Sequence, residues 1–236
     1  MLESPPWFVI FCCHHCLLTL KITGNEVYSE ISPTRYGGDM LAMKAMLAQA
    51  WARLAPAQQV PKLMGPDNGA DDMSAEHLDG ILSAGGAEAM VAATYHDYWD
   101  SCIDHQNAST LAAAGLALNV TCLDARMAAT VSKFAPTTDK HQVGLWLTEG
   151  ALHASSGVDG LTNVFVSSLF YAHALGQLAR TGVGLFSRQT LLGGDYELIN
   201  RTTGAPNPVL VAFLPLTTSI DSMSTPLGLG DWQRDY

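Results

Sequence analysis

The sequence predicts an α/β fold, a parallel sheet covered on its outer face by helices. Three observations carry the prediction. Five short apolar runs alternate with longer segments of helical spacing, the pattern of strand and helix units whose strands stack in parallel. At 236 residues, 48% hydrophobic and only 14% charged, the chain can bury a large core and carries too little charge for extensive disorder. Polar side chains able to do chemistry collect just after the apolar runs, where loops beyond strand C-termini carry function in such folds.

The first strand starts at Leu17, runs through Leu-Leu-Thr-Leu-Lys-Ile-Thr and ends at Gly24, delivering Asn25 and Glu26. A helix over Met40 to Leu54 follows from the spacing of Leu41, Ala45, Ala48 and Ala52. Lys62-Leu-Met-Gly reads as the second strand, and Ser74 with Glu76 caps a helix ending near Gly85-Gly86. Met90 to Thr94 is the third strand, releasing Tyr95-His-Asp-Tyr-Trp99 into a polar loop. Asn119 to Phe134 is helical, Val143 to Thr148 is a strand delivering Glu149, and a helix over Leu161 to Arg180 precedes the strand at Val183 to Ser187. A last helix is expected around Pro208 to Leu216. Gly37-Gly38 and Gly193-Gly194 lack any phosphate-loop context and read as turns.

The formal net charge of −10, with 12 scattered Lys and Arg, argues against nucleic acid as a partner. Five cysteines leave at least one unpaired within the chain, and a Cys102–Cys122 bridge would close the loop after Tyr98. Sequons at Asn107, Asn119 and Asn200 suit a secreted glycoprotein, although such triplets also arise by chance. The apolar stretch Trp7 to Leu20 is interrupted by Cys12-Cys-His-His-Cys16, lacks a basic flank and is too short for a bilayer, so neither signal peptide nor stable membrane span is expected. Neighbouring ligand types on one strand point to opposite faces and no second ligand pair lies at a finger-like distance. No metal and no cofactor are therefore expected.

Glu26 and Glu149 each end an apolar run, on different strands. Two carboxylates so carried can flank one glycosidic bond, and retention of configuration needs them about 5–5.5 Å apart, one as general acid and one as nucleophile. Asn25 can donate to a sugar 2-hydroxyl, Tyr98 can hold the nucleophile ionised, and His96 can line the pocket floor. Taken singly, each of these also reads as a solvated loop residue, ordinary turn chemistry or packing.

In order along the chain, Gly24-Asn-Glu26, Lys62-Leu-Met-Gly-Pro-Asp67, Leu82-Ser-Ala-Gly-Gly86, Thr94-Tyr-His-Asp-Tyr98, Leu147-Thr-Glu-Gly150 and Ser187-Arg-Gln-Thr-Leu-Leu-Gly-Gly-Asp-Tyr196 resemble the heparanase-like retaining β-glucuronidases of glycoside hydrolase family 79, over residues 20 to 215. The resemblance implies a partial TIM barrel of about strands four to eight, with Glu26 as acid/base and Asn25 beside it. It implies Glu149 as nucleophile, Tyr98 as its support, and Gln189 with Tyr196 lining the sugar pocket. Its substrates are uronic-acid-containing glycans or proteoglycans, outside the cell or in lysosome- or vacuole-like compartments, with membrane association left open.

The chain departs from the family at Val27, where proline is usual, and at Ala154, where tyrosine is expected; Ser155, Ser156 and Gly157 still offer backbone amides for a uronate. The expected organisation is an unrelated or wrongly assigned segment at 1–16, a partial barrel at 17–216 and a tail at 217–236, with strands one to three and a β-sandwich domain missing. Any partner chain supplying those strands is unknown. The alternative to a hydrolase is a catalytically inactive truncated homologue or a carbohydrate-binding fragment.

Overall fold

The computed structural model describes residues 8–11, 20–22, 31–55, 59–103 and 119–212. Asn25, Glu26, Val27, the run Cys12–Cys16, Asn107 and everything from 213 onward lie outside the described residues. In chain order the elements are β1 (Phe8–Phe11), β2 (Leu20–Ile22), α1 (Pro33–Leu54), β3 (Lys62–Gly69), α2 (Ala75–Ile81), α3 (Ala87–Ala89), β4 (Met90–Tyr98), α4 (Val120–His141), β5 (Gly144–Ala151), α5 (Val166–Thr181) and β6 (Leu185–Arg188).

The strands form one sheet in the order β1-β6-β5-β4-β3-β2, and every neighbouring pair is parallel. From β2 to β6 spatial order follows chain order, each step bridged by a helical connection, as in a barrel wall. β1 lies beside β6, so the first strand adjoins the last. The chain thus has the predicted α/β, partial-barrel architecture, with a sixth strand in the apolar N-terminal stretch.

Helix ends follow local chemistry. The Ser32 and Ser74 hydroxyls accept from the amides of Arg35 and His77, and the Asn119 side chain accepts from Cys122 N, satisfying first-turn donors that a helix leaves unpaired. Gly182, at φ +89°, closes α5 in the left-handed conformation that glycine tolerates. α1 starts at Pro33, well before Met40, because Gly37-Gly38 is helical rather than a turn. A Cβ at Gly37 would sit 2.5 Å from the Ile81 carbonyl oxygen, so the glycine lets α1 press against the end of α2. Gly193 and Gly194, at φ +106° and +74°, do lie in a loop.

The core lies between sheet and helices. Tyr95 stacks at 5.9 Å from Phe134 of α4, Trp99 at 5.3 Å from Phe170 of α5, and Phe186 at 5.3 Å from Tyr171. Phe134, Phe170, Tyr171 and Trp99 are all essentially inaccessible to solvent, and each such side chain contributes about 1.5–3 kcal/mol or more by leaving water. Cys102 and Cys122 are disulfide-bonded, tying the turn after β4 to the first turn of α4.

Two irregularities interrupt the ladder near the strand C-termini. Between Gly65 and Asn68 β3 has one residue more than β4 has between Ala93 and Tyr95. On β5, Thr148 is extra between Leu147 and Glu149, which pair with the adjacent residues Tyr95 and His96. The β5–β6 pairing shifts over the same stretch, between Leu147 and Gly150. Bulges of this kind bend a strand and re-aim its side chains.

Candidate functional site

On β4, successive side chains point to opposite faces. Tyr95 packs on Phe134, and Asp97 accepts at 3.1 Å from Thr130, so odd-numbered residues face α4. Thr94, His96 and Tyr98 therefore face the other side, the interior of the partial barrel. There the Tyr98 hydroxyl donates to Glu149 Oε1 at 2.6 Å. A phenol donating to a carboxylate at this length is a strong hydrogen bond, and it fixes the orientation of the Glu149 carboxyl group. His96 is the register partner of Glu149 on the neighbouring strand.

The loops beyond β5 and β6 are joined to each other and to the end of β5. Gln189, next after β6, donates its amide to the Gly150 carbonyl at 3.0 Å, which puts its backbone beside the residue following Glu149. Ser155, Ser156 and Gly157 form a tight turn with φ of +52°, +73° and +83°. That turn abuts the second loop: Asp195 N donates to the Ser156 carbonyl, and a Cβ on Gly157 would lie 2.9 Å from Tyr196 N. Thr162 reinforces the contact, donating to the Asp195 carbonyl at 2.7 Å. The structure thus groups Glu149, Tyr98, His96, Gln189, Tyr196 and the 155–157 turn at the C-terminal ends of β4, β5 and β6.

Several organising residues were not singled out from the sequence. Arg188 is 1% exposed, and its guanidinium donates to the carbonyls of Gln189 (2.6 Å) and Tyr196 (2.8 Å) while lying 5.5 Å from the Tyr171 ring. Burial lowers its pKa to about 10, offset in part by the Tyr171 and Tyr196 hydroxyls. It fixes both ends of the loop that carries Gln189 and Tyr196. Glu197 secures the same loop by accepting from the amides of Gly193 and Arg201. Asp100, just beyond β4, accepts from Ala154 N at 2.8 Å and lies 3.0 Å from His153 Nδ1, joining the loops after β4 and β5. Charged residues beside a predicted strand end are the available signal for these, but their partners become neighbours only through the fold.

Beneath the site, Asp67 on β3 is fully buried, accepts from the Thr148 hydroxyl, donates its amide to Thr94 Oγ1 at 2.9 Å and lies 3.6 Å from His96 Nε2. On the opposite face, Asp97 is pushed up to about 6 by burial, against the pull of Arg126 at 3.5 Å and the Thr130 hydroxyl. Among the described residues no group of three or more His, Cys, Asp or Glu could hold a metal ion, and no helix is long and apolar enough to cross a membrane.

No protein-family model matches the chain. A baicalin β-D-glucuronidase of Scutellaria baicalensis is 40% identical over 63 residues, 27% of this chain and 12% of that protein. Heparanase-like protein 2 of Arabidopsis thaliana is 21% identical across 80% of this chain and 33% of its own length. A hyaluronoglucuronidase of Hirudo nipponia is 29% identical across 76% of this chain and 34% of its own length. The chain thus resembles heparanase-like proteins and glucuronidases over most of its length, at low identity, and spans about a third of the longer-matching relatives. Among solved structures, a GH51 arabinofuranosidase of Xanthomonas axonopodis pv. citri superposes with a TM-score of 0.57 at 14% identity, covering 82% of this chain and 41% of that one. That likeness concerns the fold alone, an α/β sheet that is part of a TIM barrel.

Proposed function

We propose that this chain carries the site of a retaining glycosidase acting on β-linked uronic-acid-containing glycans, with Glu149 as nucleophile and Glu26 as acid/base. The observation that carries the reading is the 2.6 Å hydrogen bond from Tyr98 to Glu149 at the C-terminal ends of adjacent parallel strands. It gives one carboxylate, among relatives named for glucuronidase and heparanase-like activity, the support a nucleophile requires.

In the first step Glu149 attacks the anomeric carbon while the bond to the leaving oxygen breaks, and Glu26 gives that oxygen its proton. In the second, ionised Glu26 takes a proton from water, the oxygen of that water attacks the anomeric carbon, and the ester to Glu149 breaks. Asn25 holds the 2-hydroxyl. The 155–157 turn, with Gln189 and Tyr196, receives the uronate; Gly157 N closes the turn on the Ala154 carbonyl, so the amides of Ser155 and Ser156 stand in for the tyrosine that Ala154 replaces. The acidic chain favours neutral-backbone glycans such as arabinogalactan side chains over heavily sulfated heparan-type chains. An extracellular or lysosome- or vacuole-like location is part of the proposal, and the Cys102–Cys122 disulfide supports an oxidising compartment.

The test is release of the phenol from an aryl β-glucuronide by the full chain, beside Glu149→Gln and Glu26→Gln. Loss of turnover in both variants is the expected result; unchanged turnover in both sinks the assignment. A catalytically silent, glycan-binding chain is the second reading, favoured by Ala154 in the position where the family carries tyrosine. Glycan binding without turnover by folded protein would select it.

A further inference from the structure

The reading of Glu149 as nucleophile raises the question of what turns it into the barrel. Leu147 is fully buried opposite Tyr95, on the helix-facing side. Strict alternation from Leu147 would send Thr148 inward and Glu149 outward toward α4, away from Tyr98. Glu149 faces inward only because Thr148 is an extra residue, so that Glu149 comes opposite His96. A bulge has to be held, since its extra residue leaves the ladder. The Thr148 hydroxyl is 3.4 Å from the Tyr95 carbonyl and donates a closer bond to Asp67 Oδ1, reaching across β4 to the next strand but one.

Asp67 stands in the matching irregularity of β3. Its φ is +56°, a left-handed conformation that few side chains adopt and that Asp tolerates better than most. Its amide donates to Thr94 Oγ1, on the same inward face of β4 as His96 and Tyr98. The two bulges are therefore pinned to one another over the strand between them. Asp67, Thr94, Thr148 and His96 are 0%, 0%, 3% and 4% exposed, so no bulk water competes for these bonds. Asp67 Oδ2 has no hydrogen-bond partner among the described residues, although carboxylates so buried are normally fully used. The 3.6 Å approach of His96 Nε2 to Oδ1 brings the carboxylate a second claim on the inner face.

We propose that Asp67 is the positioning residue of the nucleophile. Through Thr148 it locks the β5 bulge that aims Glu149 at Tyr98, and through His96 it holds the register partner of Glu149 on β4. It touches no substrate. The proposal depends on Glu149 being the nucleophile for its kinetic consequences, but not for its geometric one.

The experiment measures kcat and KM on an aryl β-glucuronide, together with thermal melting, for Asp67→Ala, Asp67→Asn, Thr148→Val and Thr148→Ser in the full chain. Asp67→Ala and Thr148→Val are each expected to lower kcat about 10- to 100-fold with KM within about 2-fold, and the double variant to be no worse than either alone. Thr148→Ser and Asp67→Asn, which keep the hydroxyl and the acceptor oxygen, should stay within about 5-fold of wild type. A rise in KM at constant kcat, or losses that multiply in the double variant, would overturn the proposal. If Asp67→Ala does not fold, the contrast between Thr148→Val and Thr148→Ser decides the same question. If the wild type turns over no glucuronide, the hydrolase reading falls and crystal structures of the variants decide this one. Loss of the Tyr98–Glu149 contact in Thr148→Val upholds the positioning role, and an intact 2.6 Å contact refutes it.

Discussion

Removing one oxygen atom, in Tyr98→Phe, isolates the interaction on which the proposed chemistry rests. The ring and its packing remain, and the half-buried position makes a large folding penalty unexpected. What is lost is one hydroxyl donating to a carboxylate at 2.6 Å. Hydrogen bonds to charged groups contribute about 1.5–3 kcal/mol, and each 1.36 kcal/mol is tenfold in rate, so kcat should fall roughly 10- to 150-fold. KM should move little, because the hydroxyl orients the attacking carboxylate rather than gripping the sugar. The assay is initial-rate hydrolysis of an aryl β-glucuronide across a range of substrate concentrations, with the melting temperature as a control for folding. A kcat within about threefold of wild type, or an effect confined to KM, would refute the reasoning.

Three further outcomes are expected. Arg188→Met leaves the Gln189 and Tyr196 carbonyls without their donor, which should cost about 2–4 kcal/mol in urea unfolding and raise KM through a displaced sugar loop. Replacing both Cys102 and Cys122 by serine opens a crosslink between residues 20 apart, and the loop-entropy relation gives a loss of about 3 kcal/mol, read as a lower unfolding midpoint. Asp97 makes stability fall as pH rises: its folded pKa of about 6 lies above the ordinary carboxylate value of 3.8, so between the two the folded state holds a proton that the unfolded state has released. The difference amounts to about 2 kcal/mol between pH 4 and pH 7, and Asp97→Asn should remove that part of the slope in melts across this range; an unchanged slope would count against it.

The alternation of strands and helices was legible because its signals are local. Ser74 and Asn119 are caps whose bonds depend only on the next three residues, and the apolar spacing of α1 and α5 needs no knowledge of partners. The misplaced boundaries share a different cause. β4 runs on to Tyr98 through residues that look like a polar loop, because Asp97 and Tyr95 are buried against α4 while His96 faces the barrel interior. A strand buried on both faces shows no alternation of polarity. α4 continues past Pro136 to His141, although proline reads as a stop; the ring forfeits one backbone bond, which buried Phe134, Thr137 and Thr138 outweigh by packing on both sides of it. α5 begins at Val166 rather than Leu161, since 161–165 is spent on turns that include the Thr162 contacts to the neighbouring loop.

For the site, Glu149 and Tyr98 were legible as strand-end residues, whereas the device that brings them together was not. Thr148 reads as one more strand residue, because a bulge is a relation between two strands and neither sequence states it alone. Its importance becomes clear from the register that would replace it. If the β5 bulge were ironed out by a slip of one residue, Glu149 would lie opposite Asp97 and face α4, and every residue after it would change sides. Asp97 is already held near pH 6 by burial with Arg126 as its nearest cation. A second carboxylate opposite it would meet the same desolvation and the repulsion of the first. The helix-facing side thus disfavours Glu149 electrostatically, while Asp67 captures Thr148 on the inner side. Thr148 points inward in either register, so the electrostatic cost on the helix-facing side is what selects the observed one, and that register separates a nucleophile aimed by Tyr98 from a buried charge under a helix.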